Sequence, residues 1–369
     1  GHGCGHHLLG TSAHFAAIAL QAHLQASGGK ARVRYYGCPA EEGGSGKTFM
    51  ARAGVFDDVD VALTWHPASY TGVFSQSTLA NVQAKFIFHG KASHAAHSPH
   101  LGRSALDAVE LMNVGVNYLR EHMPPDARVH YAVTDTGGTS PNVVQARAEV
   151  LYLIRAVRND EAAALYERVQ NVARGAALMT ECKLDIVFDK ACSNLLQNST
   201  LNAVLHAKLL AEGKLKVNAA EQTKAVDFQA TLTASDIDAV SRPLASVLRG
   251  KTPAVFEGVA PYDPAAREVL FGSTDVADVS WVTPTAQAWV ACFAFGTPMH
   301  SWQLVSQGLS GLAHAGMVRA ARVLTATAIE LVNKPELIEQ AKAELLERRQ
   351  GKPYACPIPA DVPLPFTRA

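Results

Sequence analysis

The 369-residue sequence predicts an α/β protein, a doubly wound domain of parallel strands and covering helices interrupted by a β-α-β-β-α-β insertion. Three observations predict it. The chain is longer than one ordinary core serves, so two domains are the natural reading. Short apolar runs alternate with Ala/Leu-rich helical stretches towards both ends, the rhythm of a parallel sheet. Between them the order becomes strand, helix, two strands, helix, strand, the pattern of a ferredoxin-like module. The division is 1–80 and 196–369 for the doubly wound domain and 81–195 for the insertion.

The elements follow in chain order. After the Gly-His-Gly-Cys-Gly-His-His opening, a helix is predicted with Thr11 or Ser12 as N-cap and Gly28-Gly29 as its stop. An alternating run from Ala31 to Tyr36 reads as a strand leading into a Pro-Glu-Glu-Gly-Gly turn, followed by a helix near 47–53. The apolar run Val59 to Thr64 reads as a strand ending at Trp65-His66. In the insertion, strands are predicted at 82–88, 128–134, 146–157 and 183–188, with helices at 104–120 and 162–179. Beyond it come a helix at 201–210, a very apolar strand at 288–295, and helices at 311–331 and 336–349. The stretch Pro353 to Pro365 carries too many prolines for a packed element.

Composition narrows the function classes. Thirty-three basic against 33 acidic residues leave no electrostatic footprint for nucleic acid. The longest apolar run, Ala286 to Phe295, is far short of the roughly 20 residues a bilayer requires. The six cysteines have no framework spacing, which fits free thiols in a reducing compartment, and a cytoplasmic enzyme is the expectation.

Four loops at strand ends carry metal-competent side chains: Cys4-x-His6, Glu41-Glu42, His66 and His300. Each is weak alone, since adjacent glutamates usually face solvent and most histidines are ordinary surface or core residues. Together they are stronger, because in open α/β sheets such loops converge outside the carboxyl ends of the strands. Thiolate, imidazole and carboxylate suit a borderline divalent ion, zinc first, with manganese or cobalt open. Five ligands exceed one open tetrahedral site and suit two ions sharing a water.

These residues also carry a resemblance. Gly-Cys-Gly-His at 3–6, Pro-Ala-Glu-Glu-Gly-Gly at 39–44, Trp-His at 65–66 and Met-His-Ser at 299–301 resemble the amidohydrolase branch of the M20 metallopeptidases. Gly-Lys-Ala-Ser-His-Ala-Ala from 90 and Gly-Gly-Thr-Ser-Pro-Asn-Val-Val from 137 are similar to the same family's lid. Within the branch, Gly-Ser-Thr-Asp-Val-Ala-Asp-Val-Ser at 272–280, His-Ser-Trp-Gln at 300–303 and the tail around Cys356 look like the aminobenzoyl-glutamate hydrolase B-subunit group.

The resemblance implies a zinc-exopeptidase-like catalytic domain and an inserted lid that also dimerises, with itself or with a related subunit. It implies two divalent ions, zinc or manganese, on Cys4, His6, Glu42, His66 and His300, with Glu41 as general base. His94 takes the role of oxyanion stabiliser and Asn142 that of a substrate-binding residue. The implied reaction is hydrolysis of an N-acyl or N-aroyl amino acid, p-aminobenzoyl-glutamate first. Family members carry a segment ahead of the Cys-x-His loop, so the chain is expected to be the greater part of a longer protein. Rival readings are a silent or regulatory subunit, a thiol amidase using Cys4 or Cys38, and a structural zinc protein.

Overall fold

The structure, a computed structural model, describes residues 2–266 and 268–364. Helix α1 (His6–Ser27) is followed by the short α2 (Glu41–Gly44) and α3 (Gly46–Arg52), then β1 (Ala62–Ala68), β2 (Gly72–Val73) and β3 (Ser77–Thr78). The inserted module runs β4 (Ala80–His89), α4 (Ala105–Leu119), β5 (Arg128–Asp135), β6 (Arg147–Ala156), α5 (Asn159–Thr180) and β7 (Lys183–Cys192). After it come α6 (Ser199–Glu212), α7 (Ala219–Gln229), α8 (Ala234–Ser241), α9 (Ala245–Leu248), β8 (Val269–Leu270), α10 (Val276–Val282), β9 (Thr285–Ala291), α11 (Trp302–Gln307), α12 (Gly311–Asn333) and α13 (Pro335–Arg348).

The sheet beneath the candidate site has the order β1-β9-β2. Strands β1 and β9 are parallel from Ala62↔Thr285 to Ala68↔Ala291, and β2 closes the other side antiparallel. Helices α1, α6 and α12 bury Leu8, Leu201, Leu205 and Leu324 against Trp65, Val290 and Phe293. The Trp65 indole is fully enclosed and donates to the Leu9 carbonyl at 3.1 Å, which fixes the start of α1 over β1. Helix α13 is tied to α6 by Glu344, which accepts from the Ser199 and Thr200 N–H groups at 2.7 and 2.9 Å, a carboxylate at a helix N-terminus.

The module from β4 to β7 has its own core. Its four strands lie in the order β5-β6-β4-β7, each neighbour antiparallel, with both helices packed on the sheet. Phe86, Phe88, Met112, Val116, Val150, Ile154 and Val169 fill the space between them. Alternating burial along β4 and β6 is what a sheet with one covered face requires.

Several boundaries differ from expectation for identifiable reasons. Helix α1 starts at His6, with left-handed Gly5 as its N-cap, rather than at Thr11 or Ser12. Thr11 bonds back to the His7 carbonyl at 2.8 Å inside the helix, an alternative use of a short polar side chain. Residues 31–36 pair in no ladder; Tyr35 instead meets the Gly10 carbonyl and the His14 ring. An alternating pattern supplies propensity, but a strand also needs a neighbour. Strand β1 begins at Ala62 because turns through Asp57 and Val59 use the preceding residues, so His66 lies inside the strand rather than beyond it. Strand β9 ends at Ala291, since past that point the Ala294 N–H goes to the Gln307 side chain and the Phe295 N–H to Ala254. Gly1 of the opening motif and Pro365 of the proline-rich stretch lie outside the described residues.

Candidate metal centre

Three chain segments meet beyond the carboxyl ends of β1 and β9, and each turns sharply through a left-handed residue. Gly5 has φ 71° between Cys4 and His6, and a side chain there would meet Phe293 and Pro67 at 3.1 and 3.2 Å, so the loop lies against β1 and the residues just past β9. Ala40 has φ 60° immediately before Glu41, and His300 itself has φ 59°. Non-glycine residues seldom adopt this region, and two of them at one site mark local backbone strain held by the surrounding structure. The His300 N–H donates to the Gly3 carbonyl at 2.9 Å, fastening the first loop to the last.

The side chains converge accordingly. Cys4, His6 and His66 form one group of metal-competent atoms, Cys4, Glu42 and His300 a second, and His6, Glu41 and Glu42 a third, each within 4.8 Å. Cys4 Sγ lies 2.8 Å from His300 Nε2, His6 Nε2 lies 3.3 Å from His66 Nε2, and Glu42 Oε1 is 3.5 Å from His300 Nε2. Two nitrogens bound to one zinc at ~2.1 Å with a tetrahedral angle stand about 3.4 Å apart, so the His6–His66 spacing suits a shared ion.

The tautomers agree with that use. His66 Nδ1 lies 2.8 Å from the Pro67 carbonyl, which can only accept, so Nδ1 carries the proton and Nε2 presents a lone pair towards His6. Desolvation holds the His66 pKa down to about 4, so the ring is neutral at pH 7. Burial first, then the neighbouring Glu42, pushes the Cys4 thiol up to about 12. A divalent cation is the charge that would reverse this and ionise the sulfur. Burial, followed by the charge of Asp275, raises the Glu41 carboxyl above its usual range. The Glu42 and His300 side chains are 53% and 64% exposed, so the group opens to solvent on their side. The donor set therefore fits two ions of the zinc or manganese type.

The other two expected site residues lie together on the inserted module. His94 bridges to Val143, and the Ala95 N–H donates to the Asn142 carbonyl at 2.9 Å. His94 Nδ1 accepts from the backbone N–H groups of Ala96 and His97 at 3.3 and 3.1 Å, which leaves Nε2–H free as a donor. Neither residue belongs to the metal-competent groups. His7, next to His6, faces elsewhere and meets the Gly308 carbonyl at 2.8 Å. A groove of about 600 Å³ between α1 and residues 29–35 contains none of the metal-competent residues.

Sequence reasoning assigned no task to Thr274, Asp275 and Asp278. Thr274 Oγ1 donates to Glu41 Oε1 at 3.0 Å, and Asp275 accepts from Lys47 N and Nζ at 2.8 and 2.6 Å. Their signal was present in the 272–280 motif, but its partners stand some 230 residues away.

The mixed α/β fold with its inserted antiparallel module is that of a hydrolase, and the chain belongs to the M20 metallopeptidase family. Residues 79–180 match that family's peptidase dimerisation domain. More particularly, the chain is 51% identical to the B-subunit of p-aminobenzoyl-glutamate hydrolase from Escherichia coli K12, an alignment covering 98% of this chain and 77% of that protein. It is 30% identical to the mouse Xaa-Arg dipeptidase over 93% of this chain and 70% of that one. The Klebsiella pneumoniae aminobenzoyl-glutamate utilization protein has a similar fold, with a TM-score of 0.54 at 21% identity, covering 85% of this chain and 66% of that one. So has a Bacillus subtilis protein described as a dinuclear metal binding peptidase of the M20 family, with a TM-score of 0.50 at 17% identity over 89% of this chain and 73% of that one. Among the described residues no helix is long and apolar enough to cross a membrane.

Proposed function

We propose that the protein is a two-metal amidohydrolase that cleaves the amide bond of an N-acyl or N-aroyl amino acid, with p-aminobenzoyl-glutamate as the first substrate to test. The observation that carries this reading is the convergence of Cys4, His6, Glu42, His66 and His300, with Glu41 against His6 and Glu42. The 51% identity to a p-aminobenzoyl-glutamate hydrolase subunit supports the substrate.

Cys4, His6, Glu42, His66 and His300 would hold the ions; Cys4 belongs to the first two metal-competent groups and Glu42 to the second and third. Two bound divalent ions supply an acidified water and polarise the scissile carbonyl. Glu41 accepts the proton of that water and returns it to the leaving amine nitrogen, a task that favours a carboxylate next to the ligands rather than one bound as a ligand. His94, with Nε2–H free, donates to the oxyanion, and Asn142 holds the substrate's carboxylate or carbonyl.

We read residues 1–80 and 196–369 as the catalytic domain and 81–195 as a ferredoxin-like lid. The match to a dimerisation domain supports pairing through this lid, with a second copy or with a related subunit.

The test is hydrolysis of p-aminobenzoyl-glutamate by the full-length protein, loaded with zinc or with manganese, alongside Glu41→Ala. Metal-dependent release of glutamate that falls by roughly 10²- to 10⁴-fold in the variant is the expected outcome. A protein that binds no divalent ion sinks the mechanism, and one that binds two without turnover sinks the substrate.

A further inference from the structure

Three side chains of the Ser-Thr-Asp-Val-Ala-Asp segment at 273–278 touch Glu41 and the start of α3 just after it. Thr274 Oγ1 donates to Glu41 Oε1 at 3.0 Å. Asp275, 2% exposed, accepts from Lys47 N at 2.8 Å and Lys47 Nζ at 2.6 Å, at the start of α3. Asp278, fully buried, accepts from Thr48 Oγ1 at 2.7 Å. Its remaining acceptor capacity goes to Ser193 N and Oγ at 3.1 and 2.7 Å and to the Tyr354 hydroxyl at 2.8 Å.

These contacts fix the C-terminal side of the turn that carries Glu41. Left-handed Ala40 and left-handed Ser45 bracket α2, and a four-residue helix between two strained residues has little intrinsic stability. Lys47 and Thr48, just beyond it, are clamped to α10 and its N-cap Asp275 by the two aspartates. Glu41 has three rotatable side-chain bonds, and the clamp on the backbone does not choose among their rotamers. The Thr274 hydroxyl does. Its oxygen accepts from the Val276 N–H at 3.4 Å, so its single proton is directed at Glu41 Oε1.

We propose that Thr274 is a positioning residue, holding Glu41 Oε1 so that Oε2 alone is presented to the reacting water. This rests on the reading of Glu41 as general base given above. The proton balance is then definite. The water O–H bond breaks and its proton passes to Glu41 Oε2, while the water oxygen bonds to the carbonyl carbon and the C=O π pair moves onto the carbonyl oxygen, to return when the C–N bond breaks. The C–N bond breaks next, and the amine nitrogen takes the proton from Oε2. Thr274 keeps its own proton throughout, because its bond is to the other oxygen.

The experiment compares Thr274→Val, Thr274→Ala and Thr274→Ser in the metal-loaded, full-length protein, with p-aminobenzoyl-glutamate as substrate and Glu41→Ala as control. Val keeps the shape without the hydroxyl. Ala and Ser lose the same methyl and differ only in the hydroxyl, so their ratio is free of packing effects. Val and Ala are expected to lower kcat by roughly 10- to 100-fold with KM within about twofold, as a misplaced catalytic group does. Ser is expected to restore most of it, and metal content is expected to match wild type in all three. Wild-type kcat in the Val and Ala variants overturns the proposal, as does Ser equal to Ala. If Glu41→Ala is as active as wild type, the reading of Glu41 falls and takes this inference with it. If Glu41→Ala is inactive while Thr274→Val is unimpaired, only this inference falls.

Discussion

Cys4 Sγ stands 2.8 Å from His300 Nε2 across 296 residues of chain, and the His300 N–H is bonded to the Gly3 carbonyl beside it. An ion held between these two side chains therefore joins the first described loop to the last strand-end loop of the sheet. Binding to the folded protein alone stabilises it by about 2.7 kcal/mol when free metal is a hundredfold above Kd. Zinc or manganese should raise the melting temperature of the chelator-treated protein, and Cys4→Ala or His300→Ala should remove most of that rise. Differential scanning calorimetry decides it; identical curves with metal and with chelator would count against the centre.

His94 Nδ1 is occupied by two backbone N–H groups, so the ring's only free donor is Nε2–H. His94→Ala should lower kcat by roughly 10²- to 10³-fold, the scale of a lost oxyanion donor, with metal content unchanged. His97→Ala, which keeps the backbone N–H that His94 uses, should stay within a few-fold of wild type. Steady-state kinetics of the two variants separates them, and equal losses would show that the segment matters only as a fold.

Complete burial lifts the Asp278 carboxyl from its ordinary 3.8 to about 6, against the four hydrogen bonds it accepts. The folded state thus favours the protonated form. Its contribution to stability is fully present below about 3.8 and is lost as the pH rises through about 6. The stability of wild type relative to Asp278→Asn should fall by up to about 3 kcal/mol between pH 4 and pH 7. Urea midpoints across that window measure it, and a pH-independent difference would refute the assignment.

Helix α12 lies on β9 with Gly316 at the contact, where an added Cβ would come within 2.3 Å of the Ala291 carbonyl and 2.5 Å of Cys292 Sγ. Gly316→Ala should cost about 1–3 kcal/mol, since the helix must lift from the strand. Gly175, inside α5, meets nothing within 4 Å, and Gly175→Ala should add about 0.5–1 kcal/mol through helix propensity. Opposite signs in chemical denaturation are the check.

Much of the inserted module was legible because its signals are local. Ser104 caps α4 as a Ser before an apolar-periodic run should, and burial along β4 and β6 alternates with period two from Val82 and Val150 onwards. The run at 31–36 has the same alternation and forms no ladder, because pairing depends on a neighbour that alternation does not specify. The start of α1 was misplaced for a related reason. Thr11 is a good cap in isolation, but the chain turns into the helix at Gly5, whose left-handed backbone is needed to pass close to Phe293 and Pro67.

By itself the sequence determined the kinds of chemistry available: a Cys-x-His pair, two adjacent glutamates, and histidines beside Trp65 and Ser301, each in a strand-end motif. Residue type and local spacing suffice for that, because ligand softness and acid–base capacity belong to side chains. Which nitrogen of His66 is free, how Glu41 is oriented and what Asp275 and Asp278 hold were decided only by the tertiary structure. Those properties are set by hydrogen bonds to Pro67 next door in the chain and to partners more than 70 residues away, and hydrogen bonds act over about 3 Å of space whatever the distance along the chain.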